Sequence, residues 1–189
     1  ILSTSMDSNG DSRIMANGIL KVGEITTSSG SGNITIGSGV TLLSNTPAFQ
    51  VTMASEQNPS DSTFTKIGFD TVTFDTASAF STTNNRFTVP NNTDGKYYIW
   101  ANSTLGSNTN SDVIDAYLAI YKNGSVHKRS YVDSRNSNTR YAQLSVLSTM
   151  QLVAGDYIEI FGRVNVSSGT VEIRVQDGET TFGGNRIGA

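Results

Sequence analysis

From residue 46 onward, apolar and polar positions alternate with a period of two in runs of about five to nine residues, and no helix-length apolar stripe competes with them. TPAFQVTMA (46–54) sets Phe49, Val51 and Met53 against Gln50 and Thr52, which predicts a first strand with one face inward. TKIGFDTVTFDT (65–76) gives two short β pieces divided by Asp70, and 77–85 reads as a turn-rich link. In KYYIWA (96–101), Tyr97, Ile99 and Ala101 face one way and Tyr98 and Trp100 the other; both rows are bulky, so this strand is expected to be central. AYLAIY (116–121) is also apolar on both faces, and Asn123-Gly124 after it is a type I′ hairpin signal. A later strand places Ala142, Leu144 and Val146 opposite Tyr141, Gln143, Ser145 and Leu147. Gly155-Asp156 then turns the chain into YIEIFGRVNV, with Ile158, Ile160, Val164 and Val166 inward, Glu159 and Arg163 outward, and Gly162 as a break or bulge. Val171, Ile173 and Val175 against Glu172, Arg174 and Gln176 is the cleanest alternation of all. Polar stretches 55–63, 103–112 and 127–140 read as surface loops. Roughly eight to ten strands in this arrangement predict an all-β fold, a two-sheet antiparallel sandwich.

Residues 1–45 break the pattern. Two β-prone pieces, 19–25 and 33–36, are separated by Gly/Ser links at 28–32 and 37–39. Their apolar positions, Ile19, Leu20, Val22, Ile25, Ile34 and Ile36, are too few for a core, and the same composition also suits a flexible linker. A segment that cannot offset its own ordering entropy takes its order from what it touches. The chain is therefore divided into an extended anchoring arm or stem (1–45), laid on a partner chain or wound with copies of itself, and a head (46–189).

Composition narrows the function. Lys and Arg number 13 against 16 Asp and Glu, a net charge of -3, and no basic tract interleaves with the aromatics, which argues against nucleic acid. No run approaches the roughly 20 apolar residues of a membrane helix, so membrane insertion is not expected. Residues 1–14 carry neither the basic start nor the apolar middle of a secretory signal. Cysteine is absent, so stability is expected from packing and association rather than disulfides.

Catalytic patterns are equally sparse. The sole histidine, His127, stands beside Lys128 and Arg129 without a nucleophile elbow nearby. Asp156 and Glu159 are a conceivable carboxylate pair, yet Asp156 is better explained as a turn former and Glu159 as an outward strand residue. The chain is read as non-enzymatic. One histidine and no cysteine make zinc a poor fit, and no cofactor is expected. Calcium needs only oxygen ligands, and Asp112 and Asp115 are its candidates, although the spacing of a calcium loop is missing.

Four features in order complete the reading: Phe87-Thr88-Val89-Pro90 before Gly95-Lys96-Tyr97-Tyr98-Ile99; Lys122-Asn123-Gly124; Leu152 with Gly155-Asp156-Tyr157-Ile158; and Thr181-Phe182-Gly183-Gly184. Together they resemble the C1q/TNF-like jelly-roll superfamily, its C1q-like branch in particular, over 46–189. The resemblance implies two five-stranded sheets, a homotrimer, and a binding or structural head on a stalk. It places Tyr97, Ile99, Ile158, Ile160 and Phe182 in the core and Tyr98, Trp100, Tyr117 and Tyr157 at the trimer interface, where aromatics are enriched. The alternative for these four rings is that they fill a monomer's core. The glycines at 30, 32, 37 and 39 lack the period of a collagen stalk. In that respect the chain resembles the C1q-like heads of virion structural proteins of tailed bacteriophages. That resemblance implies a capsid decoration, head fibre, tail fibre or spike on the virion surface, held to a capsid or tail protein by the arm. An alternative is host attachment through a surface glycan or protein, with His127, Arg129 and Tyr131 as the candidate ligand loop. A secreted C1q/TNF-like protein-binding ligand is a further alternative.

Overall fold

Phe49, Val51 and their counterparts bury every second side chain, and the strands they predict are present. The computed structural model describes residues 4–6, 12–14, 46–175 and 180–188, and all regular structure among them is β. The chain divides into two units, Ile1–Leu43 and Ser44–Ala189. In the first, β1 (Thr4–Met6) pairs antiparallel with β2 (Ser12–Ile14), Thr4 opposite Ile14. The arm positions Ile19, Leu20, Val22, Ile25, Ile34 and Ile36 lie outside the described residues.

The second unit holds β3 (Ala48–Thr52), β4 (Thr65–Lys66), β5 (Thr71–Asp75), β6 (Phe80–Ser81), β7 (Arg86–Thr88), β8 (Gly95–Ser107) and β9 (Val113–Lys122). It continues with β10 (Ser125–Asp133), β11 (Tyr141–Leu152), β12 (Tyr157–Val166), β13 (Val171–Ile173) and β14 (Thr181–Gly188). One sheet runs β10-β9-β12-β7-β6 and the other β11-β8-β14-β3-β5, all pairs antiparallel. Strands distant in sequence lie side by side: β14 between β3 and β8, and β12 between β7 and β9. This is a jelly-roll winding. Each sheet has one strand more than the expected five, because β4 shares an edge of β12 with β7 and β13 shares an edge of β8 with β14.

Phenylalanines join the sheets. Phe49 on β3 stacks on Phe87 of β7 at 4.4 Å between centroids and meets Phe182 of β14 edge-on at 4.9 Å. Phe69 and Phe80 close around Phe182 at 5.5 and 6.0 Å, so rings from both sheets share one cluster in the offset and edge geometries that aromatic quadrupoles favour. Tyr97, Ile99, Ile158, Ile160 and Phe182 are all fully buried. The Tyr97 hydroxyl donates to the Thr93 carbonyl at 2.7 Å, which satisfies the one polar atom of that side chain. Two adjacent glycines fit the strand crossing. A Cβ on Gly184 would lie 2.6 Å from Ile99 Cδ1 and 2.9 Å from the Tyr98 carbonyl oxygen, and one on Gly183 would lie 2.6 Å from Trp100 Cζ2.

Three local expectations are corrected, and one gains a detail. Residues 103–107 are the end of β8, not a loop: Ser103, Thr104 and Ser107 are buried, their polarity offset by bonds such as Ser103 Oγ to Thr180 Oγ1 at 3.0 Å. Residues 127–133 belong to β10, an edge strand whose inward positions Ser130 and Val132 are only half-buried, so its alternation is faint. Gly162 does not interrupt β12; it pairs with Leu118 and lets Leu105 and Ile173 approach, while the irregularity falls between Asn165 and Val166. Glu159 does point to the outer face, yet Lys66 covers it with an ion pair of 3.0 Å and leaves it buried.

Phe49→Ala is expected to cost about 3–5 kcal/mol in equilibrium urea unfolding, since it removes a ring shared by both sheets.

Candidate functional site

Strand register builds two rows of side chains, one on each outer face of the sandwich. Across the β8 sheet the row reads Leu147, Trp100, Gly183, Gln50, Phe74, one residue from each of five paired strands. The Trp100 indole lies against Gly183, where any side chain would displace it. Leu147 is 54% exposed, Phe74 46% and Ile187 of β14 54%. In the next row Thr149, Tyr98, Asn185 and Ala48 follow one another. The result is a face whose exposed apolar side chains, Leu147 and Phe74, share a row with Trp100 and Gln50, the kind of surface that marks an association site.

On the opposite sheet the row is Tyr131, Tyr117, Arg163, from β10, β9 and β12. Tyr131 and Tyr117 stack at 5.5 Å with an 18° interplanar angle, and the Arg163 guanidinium sits 5.3 Å from the Tyr117 centroid. Arg163 is fixed in turn: its Nε donates to the Ser62 carbonyl at 3.0 Å and its Nη1 to the Asp115 carboxylate. Phe64 meets Tyr117 at 5.9 Å, and Tyr121 packs on Phe161 at 4.1 Å. Tyr157 lies farther along β12 under Arg86, 4.6 Å from its centroid.

The four expected interface rings therefore fall into two groups. Tyr98 and Trp100 share the β8 sheet with Leu147, Phe74 and Ile187, whereas Tyr117 and Tyr157 lie on the outer face of the other sheet. Alternation announced that Leu147 points away from the core, but the patch it completes needs the pairing of β11 with β8. Among the candidate ligand residues, Arg129 and Tyr131 share the outer face of β10, two residues apart on a strand rather than in a loop. His127 is the extra residue in a register shift between Val126 and Lys128, and its Nε2 lies 3.1 Å from Ser148 Oγ on β11, linking the edges of the two sheets.

The carboxylates considered for calcium are engaged separately. Asp112 is buried at 2% exposure and accepts from Ser107 Oγ at 3.0 Å, Ser168 N at 2.8 Å and Ser167 Oγ. Burial alone would raise its pKa, but these hydrogen bonds outweigh it and hold the carboxyl below the usual range. Asp115 binds Arg163 and accepts from Asn165 Nδ2 at 2.8 Å. Among the described residues, no group of three His, Cys, Asp or Glu is placed to hold a metal. Asp156 closes its turn as expected, accepting from Val153 N at 3.0 Å and Asn123 Nδ2 at 2.7 Å, with Lys122 Nζ at 2.9 Å.

Crystal structures of murine APRIL superpose on this chain with a TM-score of 0.55 at 12% identity, covering 75% of this chain and 99% of the other. The globular domain of zebrafish complement 1qA protein gives 0.51 at 17% identity, covering 75% and 97%. The fold is the C1q/TNF-like jelly roll. A stretch of 101 residues is 34% identical to the uncharacterized protein YqcC of Bacillus subtilis (strain 168), taking in 51% of this chain and 26% of that protein. No known family profile matches.

The depressed pKa of Asp112 fixes a pH signature. Its stabilisation is complete above the unfolded pKa of about 3.9 and disappears as pH falls through the lower folded value. Asp112→Asn, which sets an amide donor among four donors from Ser107, Ser167 and Ser168, is expected to cost about 1–3 kcal/mol at neutral pH. The difference from wild type narrows in urea unfolding below about pH 4.

Proposed function

We propose that this chain is a non-enzymatic structural head that trimerises through the outer face of the β8 sheet. In this reading it belongs to a virion surface as a capsid decoration or fibre head, held to a capsid or tail protein by residues 1–45. The observation that carries the trimer is the row Leu147, Trp100, Gly183, Gln50, Phe74, with Tyr98 in the next row. Leu147 and Phe74 are about half exposed in a single chain, and association would remove them from water. The particle setting rests on the resemblance of the Gly/Ser-rich arm and head to phage structural proteins. A second reading, recognition of a host-surface glycan, is favoured by the Tyr131 stack on the opposite sheet, and the two are compatible because they use different faces.

Light scattering on the full chain is expected to give three times the chain mass, and on Leu147→Lys combined with Trp100→Arg a single chain mass. A trimer that survives both charges would move the interface elsewhere. Cosedimentation with particles lacking this protein tests the arm: the full chain is expected to bind and a truncation starting at Asn45 to remain in solution. Equal binding by both would remove the arm from the anchoring role.

A further inference from the structure

We infer that the outer end of the Arg163–Tyr117–Tyr131 stack is a binding site for an anionic saccharide, seated on the free face of Tyr131 with its anionic group at Arg129. This rests on the glycan-recognition reading and gives it a site and a ligand class.

Three observations converge. The stack advances by one strand at each step, from β12 to β9 to β10, and β10 is the edge of its sheet. Tyr117 is covered on one side by the Arg163 guanidinium and on the other by Tyr131. Tyr131 has such a neighbour on one side, and at 63% exposure its other side is open to water. The ring is held in position by Tyr117, and Tyr117 by an arginine pinned at Ser62 and Asp115, so binding would order little that is not already ordered.

Chemistry at the margin selects the ligand. Arg129 and Asp133 flank Tyr131 on the same face of β10, and both are exposed. Asp133 is already engaged by Arg135, whose Nε donates to it at 2.9 Å; that contact holds its carboxyl down to about 2, so it is charged at neutral pH. On the outer face of β10, Arg129 stands two residues from Tyr131, while Arg135 is held by Asp133, and Arg140 donates to the Ser107 carbonyl and lies over Tyr141. This sets one guanidinium beside an exposed aromatic ring. A pyranose offers the complement: one face of C–H groups for the ring, hydroxyls for Asp133, and a carboxylate or phosphate for the guanidinium fork of Arg129. A protein hot spot would instead need a packed, desolvated pocket, and the surroundings of Tyr131 are open and polar.

The test uses the full chain against immobilised oligogalacturonate and a phosphorylated oligomannose, each beside its uncharged counterpart. Retention of at least one anionic probe over its neutral partner is expected, weakened by added salt. The probe retained tells a carboxylate source from a phosphate source. Tyr131→Ala and Arg129→Gln are each expected to weaken retention by about tenfold, and Tyr131→Phe, which keeps the ring, to stay near wild type. Failure to retain either anionic probe above its neutral counterpart overturns the proposal. So does retention indifferent to both Tyr131→Ala and Arg129→Gln while their urea midpoints match wild type. If Tyr131→Ala lowers the mass seen by light scattering, the ring belongs to an interface between copies and the saccharide site is rejected. A wild-type trimer that retains no anionic probe would sink this site while leaving the trimeric head intact.

Discussion

The Phe49 ring, stacked on Phe87 from the facing sheet and set edge-on to Phe182 from its own, is the contact on which the rest of the sandwich depends. Once Phe49 and Val51 point inward, the period of two forces Ala48, Gln50 and Thr52 outward, and the register of β14 and β8 follows from the same requirement. The outer rows are thus a by-product of the core. Gly183 and Gly184 show this in two neighbouring residues: one has no side chain because Ile99 and Phe49 crowd the inner face, the other because Trp100 lies on the outer face.

How much of this could be read beforehand depended on whether a strand had one apolar and one polar face. β3, β11 and β13 did, and they lie where alternation put them. Ser103 and Ser107 did not, because their hydroxyls are bonded within the fold, so a buried strand end carries the polar composition of a loop. β10 escaped for the opposite reason: at the sheet edge even its inward residues stay partly wet.

The interaction surfaces were less legible than the fold. Alternation shows that Tyr98, Trp100, Tyr117 and Tyr157 avoid the core row of their own strand, but not which sheet that strand joins. β8 pairs with β11 and β14, while β9 pairs with β10 and β12, so rings that look equivalent in sequence end on opposite faces. The row from Leu147 to Phe74 draws on segments from residue 50 to residue 183, and no local window contains it. Of the candidate ligand residues His127, Arg129 and Tyr131, the last two share one strand face, whereas His127 falls in the register shift of β10.

Opposite placement has a functional consequence. In the proposed trimer the patch made of Leu147, Trp100 and Phe74 is covered by a different surface of the neighbouring copy, since a threefold ring closes through heterologous contacts. The Tyr131 face, on the other sheet, remains open in such an assembly. A single exposed ring with one arginine beside it is a weak site, because it excludes little water and leaves each charge well solvated. On the proposed trimer and particle, three such sites on each body and many bodies together would turn weak contacts into lasting attachment through effective concentration. Burying one face in association and leaving the other open at the sheet edge is therefore a coherent division of the surface: the first fixes how many sites there are, and the second needs that number in order to hold.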